Sequence, residues 1–124
     1  MSSLKNPAQQ LRHALGAFKW ASHGLWHTLR AETAFLQEAI ALAVLPVLAW
    51  LLGCSAGHIF LIIAAWLAVM LVELLNTALE NICNLVSPEY NILVKRAKDA
   101  GAAAVLLALF ANGFFWAYLL YAYW

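Results

Sequence analysis

Residues 59–86 read "IFLIIAAWLAVMLVELLNTALENICNLV", with no polar side chain between Ile59 and Val72, and then Glu73, Asn76, Thr77 and Glu80 in quick succession. A run this long and apolar predicts a helix that crosses a bilayer, because a hydrocarbon core of roughly 30 Å takes about 20 helical residues at 1.5 Å each. The polar residues at its end pose the functional question. Their spacings of 3, 4 and 7 put all four on one face of one helix, and two of them are carboxylates.

The rest of the chain agrees with a membrane setting. Of its 124 residues, 65% are hydrophobic and 10% charged, too little polar material to cover a soluble globule of this size. A formal net charge of +1 excludes a strongly basic nucleic-acid binder, so no nucleic-acid partner is expected. Two further stretches are long and apolar enough to span, giving three spans at about 34–52, 58–86 and 100–123. In the second, the part inside hydrocarbon runs from His58 to about Thr77 and the helix continues to Val86, where the Ser87-Pro88 pair stops it. The first has Gln37 and Glu38 in its opening turn and Pro46 inside it; in a membrane helix such a proline makes a kink, since neighbouring groups re-satisfy the freed carbonyl.

Charge placement sets the orientation. The seven Lys and Arg fall in two places: Lys5, Arg12, Lys19 and Arg30 before the first span, and Lys95, Arg96 and Lys98 between the second and third. The connection "GCSAGH" at 53–58 has none. The N-terminus and the 87–99 connection are therefore expected to be cytoplasmic and the C-terminus outside. The N-terminal segment lacks an apolar core followed by a small-residue cleavage site, so no signal peptide is expected. Placed at 100° intervals, Arg12, Lys19, His23, His27 and Arg30 fall within about 80° of one another, with Leu11, Leu15, Phe18, Leu25 and Leu29 on the other side. That pattern predicts an amphipathic helix over about 7–30, lying on the cytoplasmic leaflet. Cys54 belongs to the external connection and Cys83 lies near the cytoplasmic end of the second helix, so the membrane keeps them too far apart to pair within one chain. The four His have no metal-site spacing.

The six acids are Glu32, Glu38, Glu73, Glu80, Glu89 and Asp99, and on this topology all lie at or just below the cytoplasmic interface. Glu73 sits about one turn, roughly 6 Å, inside the hydrocarbon edge, and Glu80 about one turn outside it. A carboxylate at that depth costs about 2–3 kcal/mol and must face protein or water. A transmembrane ion or proton pathway would need partners in the outer half of the bilayer, and no span offers them. Acids spaced to hold Mg²⁺, basic residues close by and one deep carboxylate suggest phosphoryl transfer, yet there is no GxxxxGK[ST] phosphate loop and no protein-kinase signature. The residues alone thus reach an interfacial membrane enzyme or carrier.

Four motifs go further. "AETAFLQE" (31–38), "ELLNTALE" (73–80), "SPEY" (87–90) and "KRAKDAGAAAVLL" (95–107) resemble, in order and spacing, the small prokaryotic diacylglycerol kinase family of integral-membrane lipid kinases. The resemblance implies an all-α fold of three transmembrane helices plus an N-terminal amphipathic surface helix, assembled as a homotrimeric bundle in the bacterial inner membrane. It also implies transfer of the γ-phosphate of ATP, with Mg²⁺, to a lipid hydroxyl. Residue by residue, it implies Glu73 as catalytic base with Asn76 orienting groups around it, and Glu32 and Glu80 holding the metal. It assigns Glu89, Tyr90, Asn91, Lys98 and Asp99 to the nucleotide together with Glu32 and Glu80. Ala34, Phe35, Leu36, Gln37, Glu38, Glu73, Ala102 and Trp116 correspond to the lipid-contact set. At the N-terminus "LRHALGAFKW" aligns ambiguously, leaving Arg12 or His13 for a nucleotide-contacting cation and Trp20 for an aromatic.

The acceptor divides the family. "AFLQE" looks like the branch that phosphorylates diacylglycerol, whereas "SPEY" occurs widely in the branch that phosphorylates undecaprenol; diacylglycerol is favoured. The alternative from another class is a small non-catalytic membrane protein that keeps its acids for ion binding. The homotrimer also has a physical motive, since three helices can hardly shield several carboxylates from lipid, and the small residues of "AGAAA" (100–104) would let the third helix approach a neighbour.

Overall fold

The chain starts its first helix where it supplies both a cap and a proline. Asn6 accepts a hydrogen bond from the Ala8 N–H at 3.1 Å and Pro7 takes the first helical position, where a missing N–H costs nothing. The computed structural model describes residues 6–123, which form four α-helices: α1 (Pro7–Ala31), α2 (Thr33–Leu51), α3 (Ala56–Val86) and α4 (Ile92–Tyr123). Lys5, used above for orientation, lies outside the described residues.

A single residue separates α1 from α2. Glu32 is extended (φ −112°, ψ 114°), its N–H donates to the Thr28 carbonyl at 2.9 Å, and its own carbonyl accepts from the Leu36 N–H at 3.1 Å. Both helices are thereby closed at one carboxylate-bearing residue. Pro46 lies within α2 without ending it. The turn into α3 uses Gly53 at φ +79°, a left-handed conformation that glycine adopts without steric cost, and Ser55 caps α3 by accepting from the His58 N–H at 3.4 Å.

Helix α4 begins at Ile92, eight residues ahead of the span expected from about 100. The reason is a cap: Asn91 Oδ1 accepts from the N–H groups of Leu93 (2.8 Å) and Val94 (3.4 Å), so the charged stretch through Lys95, Arg96, Lys98 and Asp99 is already helical. Hydropathy marks where a helix enters oil, not where it starts. At 31 and 32 residues, α3 and α4 are about 46–48 Å long. Each overshoots a 30 Å hydrocarbon core by roughly 16 Å. The polar residues lie at the end of α3 and the start of α4, so both overhangs project from the same side.

Helix α3 is central, packed on α4 and α2, while α1 packs chiefly on α2. At the end away from the acids, Ala49, Ile62 and Leu119 form a buried core with one residue from each long helix, flanked by Leu45, Trp66 and Phe115. Phe35, Val69, Met70 and Cys83 continue the packing toward the other end. Outside this core many large apolar side chains, among them Leu71, Leu75, Phe110 and Phe114, are exposed. That surface suits lipid and not water. Helices α2, α3 and α4 are each long and apolar enough to cross a membrane, which makes the chain a multi-pass membrane protein.

Candidate active site

The site grows from the seam between α3 and α4. Gly101 is buried there, and a Cβ built on it would stand 2.9 Å from Leu79 Cδ2 and closer still to Asn76 Oδ1. Only hydrogen fits between the helices at this crossing. The close approach holds the Asn76 side chain, whose Nδ2 donates to Glu80 Oε1 at 3.5 Å, one helical turn on. Small residues in this stretch were expected to serve contact with a neighbouring subunit; Gly101 serves contact within the chain.

Helix α2 brings a further acid. Glu38 was expected in the opening turn of the first span, and the structure turns it inward, 8% exposed, close enough to Glu73 for the two carboxylates to repel. Glu73 is also within electrostatic reach of Glu80 and Glu32. Four acids from three segments thus share one locality, with Glu73 common to all the repulsions. Glu38 Oε2, Glu73 Oε2 and Asn76 Oδ1 are buried with no hydrogen-bond partner. Leaving such an acceptor unmatched costs about 1–3 kcal/mol. Three of them in one place call for a donor or a cation from outside the chain.

Toward solvent the overhangs of α3 and α4 enclose an open cleft of about 470 Å³, lined by Glu89, Tyr90, Asn91, Lys98 and Asp99 among others. All five side chains assigned by resemblance to the nucleotide from this part of the chain therefore meet at one cleft. Lys98 Nζ donates to Asn84 Oδ1 at 2.6 Å across the two helices, and Lys95 Nζ pairs with Asp99 Oδ2 at 2.6 Å. Asn91 has its side-chain oxygen committed to capping α4.

Other expected residues are not brought in. Arg12, His13 and Trp20 are exposed on α1, and at 1.5 Å per residue Arg12 lies about 30 Å along the helix from Glu32. Among the lipid-contact set, Ala34, Leu36, Gln37 and Ala102 are exposed, whereas Phe35 is 2% exposed and packs inward. Trp116 lies about 22 Å along α4 from Gly101, in an apolar crevice of about 380 Å³ that it shares with Cys54 and His58. Sequence reasoning passed over Asn84 and Gly101. The small-residue run around Gly101 was a signal, but its intramolecular use was not, and nothing in the sequence paired Asn84 with Lys98.

The donor chemistry suits a hard cation. Glu32 and Glu80 offer carboxylate oxygens within electrostatic reach of Glu73, where positive charge would relieve the repulsion. Among the described residues no three His, Cys, Asp or Glu side chains converge on a metal position. Two protein carboxylates with the remaining positions left to phosphate and water are the usual arrangement for Mg²⁺.

Comparison with known proteins follows the same line. The family model for prokaryotic diacylglycerol kinase matches residues 19–120. The chain is 36% identical over 111 residues to the diacylglycerol kinase of Haemophilus influenzae, covering 90% of this chain and 94% of that one. With the diacylglycerol kinase of Escherichia coli K12 it shares 39% over 102 residues, 79% of this chain and 84% of that one. It is also 34% identical over 104 residues, 82% of each chain, to the undecaprenol kinase of Bacillus subtilis. A multi-pass helical chain with its acids gathered at one end, matched across most of its length, belongs to the prokaryotic diacylglycerol kinase family.

Proposed function

We propose that the chain transfers the γ-phosphoryl group of ATP to the free hydroxyl of diacylglycerol, giving phosphatidic acid and ADP, at the cytoplasmic face of the bacterial inner membrane. The observation that carries this reading is the adjacency of two unlike halves: a buried locality with three unmatched acceptors around Glu73, and a polar cleft with Lys98 on its wall. A lipid hydroxyl arrives from the membrane side with a proton to give. A nucleotide arrives from water with phosphates to be held. The relatives named diacylglycerol kinase support diacylglycerol as acceptor.

Glu73 accepts the hydroxyl proton as the new O–P bond forms and the bond from the γ-phosphorus to the bridging oxygen breaks. Asn76 lies between Glu73 and Glu80 along α3, donates to Glu80 and orients groups around the base. Glu32 and Glu80 hold Mg²⁺, which when bound neutralises charge on the transferring phosphoryl group. Lys98 and Asp99, with Glu89, Tyr90 and Asn91, bind the nucleotide in the cleft. Ala34, Phe35, Leu36, Gln37, Glu38, Ala102 and Trp116 form the path of the lipid. Phosphoryl transfer asks for positioning and charge neutralisation more than covalent chemistry from the protein, so no phosphate loop is needed.

The same reading takes the whole chain as one lipid-kinase domain with α1 flat on the cytoplasmic leaflet. It assembles as a homotrimer, in which Arg12 or His13 and Trp20 complete a nucleotide site. The test is direct: purified protein with γ-labelled ATP and mixed lipids should yield labelled phosphatidic acid. Label on undecaprenol instead would move the acceptor to the other branch, and no labelled lipid would return the chain to the ion-binding alternative.

A further inference from the structure

Lys98 is the one cleft residue whose charge is held by a neutral side chain from a different helix. Its Nζ donates at 2.6 Å to Asn84 Oδ1, fourteen positions away in sequence, while the neighbouring Lys95 spends its charge on Asp99 at 2.6 Å. We propose that Asn84 is a positioning residue for nucleotide binding: it tethers the Lys98 ammonium to the wall of the cleft, aimed at the phosphates of the nucleotide. The inference rests on the reading above, in which Lys98 meets that nucleotide.

Three features support it. An ammonium has three N–H donors, so the bond to Asn84 leaves two for phosphate oxygens. Asn84 is neutral and cancels none of the charge, in contrast to the carboxylate that engages Lys95. Its place on α3 is one turn beyond Glu80, so the two residues lie on the same face. The tether therefore draws the ammonium toward the face of α3 that carries Glu80. A free lysine loses most of its rotamer freedom when it grips a phosphate, and a lysine already held loses less. The two helices are also pinned here a second time, with Gly101 against Asn76 on the near side of Glu80 and Lys98 to Asn84 on the far side.

Asn84 is exposed, so its truncation tests position and not packing. The experiment measures equilibrium binding of a non-hydrolysable MgATP analogue to the detergent-solubilised protein and to Asn84→Ala, Lys98→Met and the double variant, with turnover and thermal stability alongside. Asn84→Ala should weaken nucleotide binding about 3- to 10-fold, the worth of an exposed hydrogen bond to a charged group. Turnover at saturating nucleotide, KM for the lipid and Tm should stay near wild type. In the Lys98→Met background the Asn84→Ala change should have no further effect on nucleotide binding, because the two act as one unit. Unchanged nucleotide binding in Asn84→Ala, or additive effects in the double variant, would overturn the tether. If Lys98→Met itself binds nucleotide normally, the nucleotide assignment of Lys98 fails and the tether with it; if Lys98→Met binds weakly while Asn84→Ala binds normally, only the tether fails.

Discussion

Replacing Gly101 by Ala adds one methyl group at the tightest point of the α3–α4 seam. The new Cβ would lie 2.9 Å from Leu79 Cδ2, where ordinary contact begins at 3.4 Å, so Leu79 must retreat by about 0.5 Å and Asn76, which is closer, by more. Two energetic terms oppose each other. Overpacking costs about 1–3 kcal/mol, and alanine in a helix interior recovers about 1 kcal/mol relative to glycine. The net loss of stability is thus between about 0 and 2 kcal/mol, and the protein should still fold. Activity should respond far more strongly, because the group displaced is the amide that donates to Glu80 one turn from Glu73, and a misplacement of about 1 Å can cost 10²-fold in rate. Turnover is expected to fall about 10- to 100-fold with a modest change in Tm, both measured in one detergent. The double variant Gly101→Ala with Leu79→Ala removes the Leu79 clash and leaves that with Asn76, so it should remain slow. Wild-type turnover in Gly101→Ala, or recovery on trimming Leu79, would refute the role given to the Gly101–Asn76 contact.

The proposed roles of the acids separate by metal dependence. Glu32→Gln and Glu80→Gln should each lose activity and regain part of it at high Mg²⁺, as weakened coordination is offset by mass action; a metal-titration series that stays flat would remove them from the metal site. Glu73→Gln should fold and bind MgATP nearly as wild type yet lose about 10²–10⁴-fold in turnover, the usual worth of a general base, with no rescue by metal, and an active variant would sink the assignment. Native mass measurement and cross-linking in detergent should report three copies per active particle, whereas an active monomer would contradict the trimer.

Much of the architecture was legible because a bilayer imposes a length and a polarity on any helix that crosses it. The apolar runs around Val44, Leu67 and Leu107 announced α2, α3 and α4, and the Ser87-Pro88 pair marked the end of α3. The start of α4 was misplaced because the expectation followed the membrane edge, whereas the helix follows the Asn91 cap. The row Glu73, Asn76, Thr77 and Glu80 could be found from helical periodicity alone, since it lies within one element. Glu38 joining Glu73 could not, because it depends on how α2 rotates against α3. The same limit hid the Lys98–Asn84 bond and the fit of Gly101 on Asn76, which depend on the register of two helices.

That register also separates two kinds of chemistry along one seam. At and below the Gly101 crossing, three unmatched acceptors gather around Glu73: Glu38 Oε2, Glu73 Oε2 and Asn76 Oδ1. Above it, Lys98 offers donors beside the open cleft. Unmatched acceptors in oil are costly as they stand, and the cost falls when a hydroxyl donates to them. A donor-bearing cleft in water gains when an anion enters. On the proposed function these are the two reactants, one from each phase, so each half of the site is relieved by its own substrate. Glu73 stands at the lower half with its proton-accepting oxygen free, and Glu80, one helical turn pair further along the same face, stands between it and the tethered ammonium. The order ammonium, metal carboxylate, base along α4 and α3 is the order in which an in-line transfer from water to lipid would meet them, and it follows from spacing fixed by the helical repeat and by one missing Cβ.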